Sequence, residues 1–243
     1  MESKPELGIF IKSPNIEIIE CCGISELDFI VIDMEHTPLG PRDLYPLILA
    51  AEVRNLKMII RLPNLNEEYF KWCLDLGVRN LQIPQVDTID QVNYALNNSY
   101  YSPIGNRGLC KAVRAADYSN KSKDLYIKES NNRTNLIFQI EGKKGFNNID
   151  EIINDKSVQN IFIGPYDLSQ SLGFPGDIWN KKVVDTIKVI IKKCKKKSIK
   201  VGVFTDTFEG IKYWKKEKVD FIEFGSDMQV LSTALKNLKL QNN

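Results

Sequence analysis

Residues Ile161–Gly176 read IFIGPYDLSQSLGFPG, and their order decides the fold. An apolar run of Ile161, Phe162 and Ile163 stops at Gly164-Pro165, and a single carboxylate, Asp167, follows at once. A loop rich in Ser and Gly comes next. This is the pattern of a buried strand whose end delivers one charge into a site. A carboxylate in that place is costly unless something pairs with it, and a metal ion is such a partner.

Seven further apolar runs read as strands: Gly8–Ile11, Phe29–Asp33, Met58–Arg61, Leu81–Ile83, Leu136–Glu141, Val201–Thr205 and Phe221–Gly225. Segments with helical spacing lie between them, such as Leu44, Leu47, Ile48 and Ala51, or Val183, Ile187, Ile190 and Ile191. Strands that alternate with helices imply parallel pairing, and eight such units predict an α/β protein, a single (β/α)8 TIM barrel. An open doubly wound sheet would announce a nucleotide site with a glycine-rich first turn, and none follows Gly8–Ile11 or Phe29–Asp33. No Pro/Ser-rich linker divides the chain, so residues 1–243 are expected to form one barrel domain. The polar stretch 98–135 breaks the rhythm and is longer than a normal connection. It reads as a loop over the barrel mouth, with a helix near Lys123–Ser130.

A chain of 243 residues can bury a sizeable core without staples. Its net charge of +2 argues against nucleic-acid binding. The Lys-rich run Lys192–Lys200 reads as a solvated helix face. No apolar run is long enough to span a bilayer, and the N-terminal MESKPELG is too polar for a signal peptide. Five Cys include the vicinal Cys21-Cys22 and no CxxC. That pattern fits neither a disulfide framework nor a zinc site, but small buried thiols in a reducing cytoplasm.

In such a barrel, chemistry sits where the strands end. The second strand ends in Asp33-Met34-Glu35-His36. His36 is the only histidine, and Asp33, three residues earlier, is expected to bond one ring nitrogen and free the other for proton transfer. Glu35 is read as a supporting or salt-bridging group, its role open. Arg61 ends a wholly apolar strand, where its planar fork suits a substrate carboxylate or an ion pair with Glu141 or Asp33. Gln139 and Glu141 share one side of their strand by the period of two. Glu141 and Asp167 end neighbouring parallel strands, about 4.8 Å apart. Both carboxylates can therefore reach one ion. Two carboxylates with water and substrate oxygens suit a hard divalent cation, Mg²⁺ or Mn²⁺ first. A Schiff-base route needs a Lys at the site. Lys57 and Lys200 begin strands, on the wrong end, whereas Lys12 and Lys143 lie just beyond strand ends.

These pieces resemble the HpcH/HpaI aldolases, metal-dependent class II enzymes acting on pyruvate-derived 2-oxo acids. The resemblance runs in order through FIVIDMEH, IIRLP, YSPIGNRG, the QIE of Gln139–Glu141, IFIGPYDLSQSLGFPG and the FGSD of Phe224–Asp227. It implies a (β/α)8 barrel, often a hexamer with an exchanged C-terminal helix. It implies Glu141 and Asp167 as metal ligands, with Co²⁺ or Zn²⁺ as alternatives to Mg²⁺ or Mn²⁺. Arg61 matches the residue that holds pyruvate and steadies its enolate, and His36 with Asp33 matches the acid–base dyad. Gln139 matches a polar group beside the oxo acid, and the backbone around Tyr166 and Asp167 matches the donors to its carboxylate. The implied activity is aldehyde-lyase chemistry on a 2-oxo-4-hydroxy acid, with pyruvate or oxaloacetate and an aldehyde as small-molecule partners. Citrate-synthase-like condensation on the same site, and a non-catalytic oxo-acid-binding barrel, are the alternatives. The chain departs from the family in Gly142, where Thr or Ser often follows the metal-binding Glu, in Phe10, where Trp is frequent, and over Tyr118–Asn135.

Overall fold

The computed structural model describes residues 4–241. Eight strands run in parallel: β1 (Glu6–Ile11), β2 (Phe29–Asp33), β3 (Lys57–Arg61), β4 (Asn80–Ile83), β5 (Asn135–Ile140), β6 (Asn160–Ile163), β7 (Lys200–Thr205) and β8 (Phe221–Ser226). Each pairs with its neighbours in sequence, and β8 closes on β1, so the sheet is a barrel in the order β1 to β8. All eight predicted strands are present. Most begin one or two residues earlier than the apolar runs, because the first residue of each is polar and half exposed.

The alternation within each strand sorts side chains between two cores. One set, including Ile9, Ile30, Ile32, Ile60, Leu81, Phe138, Ile140, Ile161, Ile163, Val201 and Val203, packs outward into the large core against the helices. The other set, Phe10, Phe29, Val31, Ile59, Ile137, Phe162 and Phe221, forms a separate aromatic plug inside the barrel. A fully buried side chain of this kind contributes about 1.5–3 kcal/mol. Two glycines make room for the rings. A Cβ on Gly8 would lie 2.3 Å from the Phe29 ring, and one on Gly202 would lie 2.1 Å from Phe221.

Outer helices follow the spacing seen in the sequence. In Lys181–Lys196, Asn180 caps the first turn and Val183, Ile187, Ile190, Ile191 and Cys194 are buried. The intervening lysines point away from that core, two of them paired as Lys193–Asp150 and Lys195–Asp220 at 2.6 Å each. The Lys-rich run is thus a solvated helix face as far as Lys196, whereas Lys197 caps the helix and Lys200 begins β7. All five cysteines are free, and Cys22, Cys73 and Cys194 are buried. Burial pushes the Cys73 and Cys194 thiols up to about 12.

The stretch 98–135 does not cover the barrel mouth. It joins the helix Ile89–Ser99 to β5, and such a helix-to-strand connection lies at the N-terminal face of a parallel barrel. It packs there on outer helices. Arg107 pairs with Asp75 at 2.6 Å, and Arg114 reaches Glu52 and the Leu76 carbonyl. The helix expected near Lys123–Ser130 runs from Lys123 to Arg133. Among the described residues no helix is long and apolar enough to cross a membrane.

The C-terminal helix Asp227–Gln241 touches the barrel at β1 and β8 and exposes Met228, Val230, Leu231, Leu235, Leu238 and Leu240. Its first residue is the exception. Asp227 is buried and accepts from the main-chain N–H of Lys12 and Ser13, at 3.1 and 3.0 Å, and from the Ser13 hydroxyl at 2.8 Å. The loop after β1 is thereby pinned to the end of β8.

Candidate active site

Strand register sets polar side chains at the C-terminal rim. Asp33 stands opposite Arg61, and Arg61 opposite Gln82. Asp33 has no exposed surface. Its carboxylate accepts from Arg61 Nε at 3.0 Å and pairs with Nη2 at 2.9 Å, a bidentate fork. These bonds hold the Asp33 carboxyl below the usual range against the opposing effect of burial. The third arm of Arg61 meets Glu35 at 3.1 Å, and its guanidinium lies 4.5 Å over the Phe10 ring. Arg61 thus donates one hydrogen bond to Asp33 through Nε, ion-pairs with Asp33 and Glu35 through Nη2 and Nη1, and keeps at least one N–H on each terminal nitrogen for a ligand.

Asp33 does not bond the imidazole. It accepts instead from the main-chain N–H of Glu35 and His36, at 3.0 and 3.2 Å, and folds the turn that carries them. The expected His36–Asp33 ring contact is therefore corrected: Asp33 is engaged by Arg61, Lys12 and the main chain instead. The His36 ring stands exposed at the pocket wall, and its nearest acid is Glu35 at 3.9 Å. Glu35 also accepts from Gln85 Nε2 at 3.2 Å.

Glu141 directly follows β5 and is 5% exposed. It accepts from the Gln85 main-chain N–H at 2.7 Å and from Gln139 Nε2. Gln85 adopts φ 55°, a left-handed conformation that costs roughly 1–2 kcal/mol and turns its N–H toward the acid. Gly164, between β6 and the helix Pro165–Ser171, leaves the space Glu141 fills. A Cβ there would lie 2.7 Å from Glu141 Oε2. Asp167 lies one turn into that helix and is exposed to the same pocket. Tyr166 donates to Asp206 at 2.6 Å, and burial with that acid pushes its hydroxyl up to about 12. The first-turn N–H groups of Tyr166 and Asp167 have no helical acceptor of their own.

A cavity of about 260 Å³ unites these groups, lined among others by Lys12, His36, Arg61, Gln139, Glu141 and Asp167. Lys12 enters from the end of β1 and pairs with Asp33 at 3.1 Å. Lys143 does not line the cavity, and Lys57 and Lys200 open at the other end of the barrel. A larger hollow of about 450 Å³ beside Arg107 and Arg114 lies on the outer wall, away from the strand ends.

Four carboxylates, Asp33, Glu35, Glu141 and Asp167, gather around two cations, Arg61 and Lys12. Burial, with Glu35 and Asp167 nearby, pushes the Glu141 carboxyl up to about 7. Glu35 is also raised, by burial. A buried acid whose ionised form is disfavoured by burial, with a second carboxylate, Asp167, on the same cavity, offers oxygen donors that fit a hard divalent cation.

Sequence reading passed over two residues beneath this site. Gln82 Nε2 donates to Gln139 Oε1 at 2.8 Å and to Glu223 Oε2 at 3.2 Å. A chain of side chains thus runs from Glu223 through Gln82 and Gln139 to Glu141. Glu223 has no exposed surface, and burial pushes its carboxyl up to about 8. The signal was present: FIEFG places one acid inside an apolar strand. The unfolded chain ionises Glu223 near its ordinary value of 4.5, whereas the folded protein keeps the proton to about 8. Stability therefore falls as pH rises through that window. Glu223→Gln is expected to match wild-type melting at pH 5 and to melt several degrees higher at pH 8, as scanning calorimetry would measure.

A polar pocket at the strand ends of a closed (β/α)8 barrel defines the molecule as a barrel enzyme. Its relatives narrow the class. The 2-keto-3-deoxy-L-rhamnonate aldolase of Escherichia coli O17:K52:H18 is 30% identical over 233 residues, covering 95% of this chain and 86% of that one. A Burkholderia cenocepacia J2315 structure, an HpcH/HpaI aldolase/citrate lyase family protein, superposes with a TM-score of 0.93 at 26% identity, covering 98% and 94%. The citrate synthase SbnG superposes at 0.84 with 27% identity, covering 98% and 95%. The profile of the HpcH/HpaI aldolase/citrate lyase family matches residues 6–234, and the chain belongs to that family. It is a carbon–carbon lyase of the aldolase type.

Proposed function

We propose that the chain catalyses reversible, divalent-cation-dependent aldol cleavage of a 2-oxo-4-hydroxy acid to a 2-oxo acid, pyruvate or oxaloacetate, and an aldehyde. The observation that carries this reading is Glu141, a buried acid whose carboxyl is pushed up to about 7 by burial and which shares a pocket with Asp167. Glu141 and Asp167 would hold the cation, Mg²⁺ or Mn²⁺ by the hardness of the donors. Among the described residues no three His, Cys, Asp or Glu side chains converge on one point, so the remaining donors would come from substrate and water. When bound, such a cation supplies Lewis-acid polarisation of a keto oxygen.

The chain's own residues divide the remaining work. The two free N–H groups of Arg61 face the enolate oxygen as charge develops there, held by Asp33 so that no reorganisation is needed. Gln139 gives one N–H to Glu141 and has a second for the oxo acid. The first-turn N–H groups of Tyr166 and Asp167 suit the substrate carboxylate. His36 takes the C4 hydroxyl proton, placed at the rim by the Asp33 turn rather than by a ring contact. The C3–C4 bond breaks, its electron pair goes into the enolate, and the aldehyde leaves.

The test is exchange of pyruvate methyl protons in D₂O, followed by NMR. Exchange is expected with Mg²⁺ or Mn²⁺, lost on chelation and restored on readdition. Borohydride is expected to trap no pyruvate on the protein, since the one lysine in the pocket is ion-paired. Trapping would refute the reading. Likeness to the citrate synthase SbnG supports condensation as a second reading. Product analysis with oxaloacetate and candidate partners separates the two. The exposed apolar row of the helix Asp227–Gln241 supports a homo-oligomer that exchanges this helix, a hexamer by family resemblance.

A further inference from the structure

Lys12 has no part in the steps above, yet it stands in the pocket. It comes from β1, and in a closed ring of eight strands β1 lies across from β5, which delivers Glu141. Its position is fixed. Asp227 takes the main-chain N–H groups of Lys12 and Ser13. The ammonium itself is about one-third exposed. It touches Asp33 Oδ2 at 3.1 Å and the His36 carbonyl only at 3.5 Å. Asp33 Oδ2 carries no hydrogen bond, although Arg61 Nη2 lies 2.9 Å away, and it can engage one of the three N–H donors of Lys12 while two are left for a ligand. The lysine therefore brings spare N–H donors to the wall facing the two proposed ligand acids. Ser226 and Gln229 flank it on the same side of the cavity.

We infer that Lys12 is a specificity-determining residue that receives a carboxylate on the aldehyde partner, so that this site prefers a short acidic aldehyde to a neutral one. The inference rests on the aldol reading of the site. In this assignment the 2-oxo acid lies between Arg61 and the β5–β6 side, and its C3 carbon, where the new bond forms, faces the β1 side of the cavity that Lys12 lines. The group beyond that bond then meets Lys12. The cavity, at about 260 Å³, is small for a ligand site, and the acceptor is short accordingly. A carboxylate gives the ammonium a charge-assisted bond, and a neutral hydroxyl gives it only an ordinary one.

Glyoxylate and glycolaldehyde test this, since both have two carbons and differ in the charged end. With pyruvate and Mg²⁺ or Mn²⁺, wild type is expected to favour glyoxylate. Lys12→Met should lower kcat/KM for glyoxylate about 10–100-fold, mostly through KM, and shift the glyoxylate-to-glycolaldehyde ratio by at least about tenfold. Lys12→Arg should keep the preference. An equal fall for both aldehydes would assign Lys12 to bracing Asp33 and overturn the inference, as would an unchanged ratio or a wild type that favours glycolaldehyde. Pyruvate methyl exchange in wild type separates the two levels. Exchange without acidic preference overturns only the Lys12 assignment, and no exchange overturns the aldol reading with it.

Discussion

Glu141→Gln is expected to reduce carbon–carbon cleavage on the order of 10²–10³-fold while leaving the barrel folded. The substitution keeps the shape and removes the charge. Gln85 and Gln139 donate to different oxygens of Glu141, so the amide oxygen keeps one of these bonds and the amide nitrogen faces the other donor, a local loss that the shape-conserving side chain confines to one contact. The wild-type carboxyl is buried, and burial pushes it up to about 7 even though Gln85 and Gln139 donate to it. Its removal therefore shows most clearly in cation linkage. A divalent cation at about 100 times its Kd stabilises the wild type by about 2.7 kcal/mol. For a chain of this length that raises Tm by about 5–10 °C. The variant is expected to show no such rise with Mg²⁺ or Mn²⁺. A Glu141→Gln protein that keeps both activity and the cation-dependent rise in Tm would remove Glu141 from the site.

Arg61→Met is expected to harm stability and activity together. Arg61 binds two acids, and Asp33 has no exposed surface at all. Breaking a buried pair by removing one partner costs about 3–5 kcal/mol. In this chain that lowers Tm by about 6–20 °C. Arg61→Lys supplies the control. It restores a charge beside Asp33 without the fork, and its single ammonium cannot meet Asp33 twice and Glu35 once. Melting should recover for the most part, while pyruvate exchange stays at least about tenfold below wild type, since the donors aimed at the enolate are gone. Full exchange in Arg61→Lys would mean that charge alone matters and that the planar geometry does not.

The sequence carried the barrel because its strands declare themselves twice. FIVID and IFI are apolar enough to be buried on both faces, and an acid stands at the end of the first, Asp33, and four residues beyond the second, Asp167. Gln139 and Glu141 followed from the period of two alone. What could not be read were choices among partners. Asp33 lies three residues from His36 in sequence, yet its ring partner is displaced by Arg61, which the β2–β3 register brings directly opposite. Gln82 and Glu223 come from β4 and β8, and nothing local says that their side chains meet across the barrel. The stretch 98–135 was recognised as unusual but placed at the wrong end. Length and polarity mark a loop, and only the direction of the preceding helix fixes its face.

Gly164 has φ −91°, a value open to any residue, so no backbone freedom requires glycine there. Volume does, because the Glu141 oxygen occupies the space a side chain would take. The room Glu141 has beside the helix that carries Asp167 is thus governed by a carbon that neither acid owns and that the chain omits. A designer who transplants Glu141 and Asp167 into another barrel must transplant that omission too, as a third element of the site with no functional group.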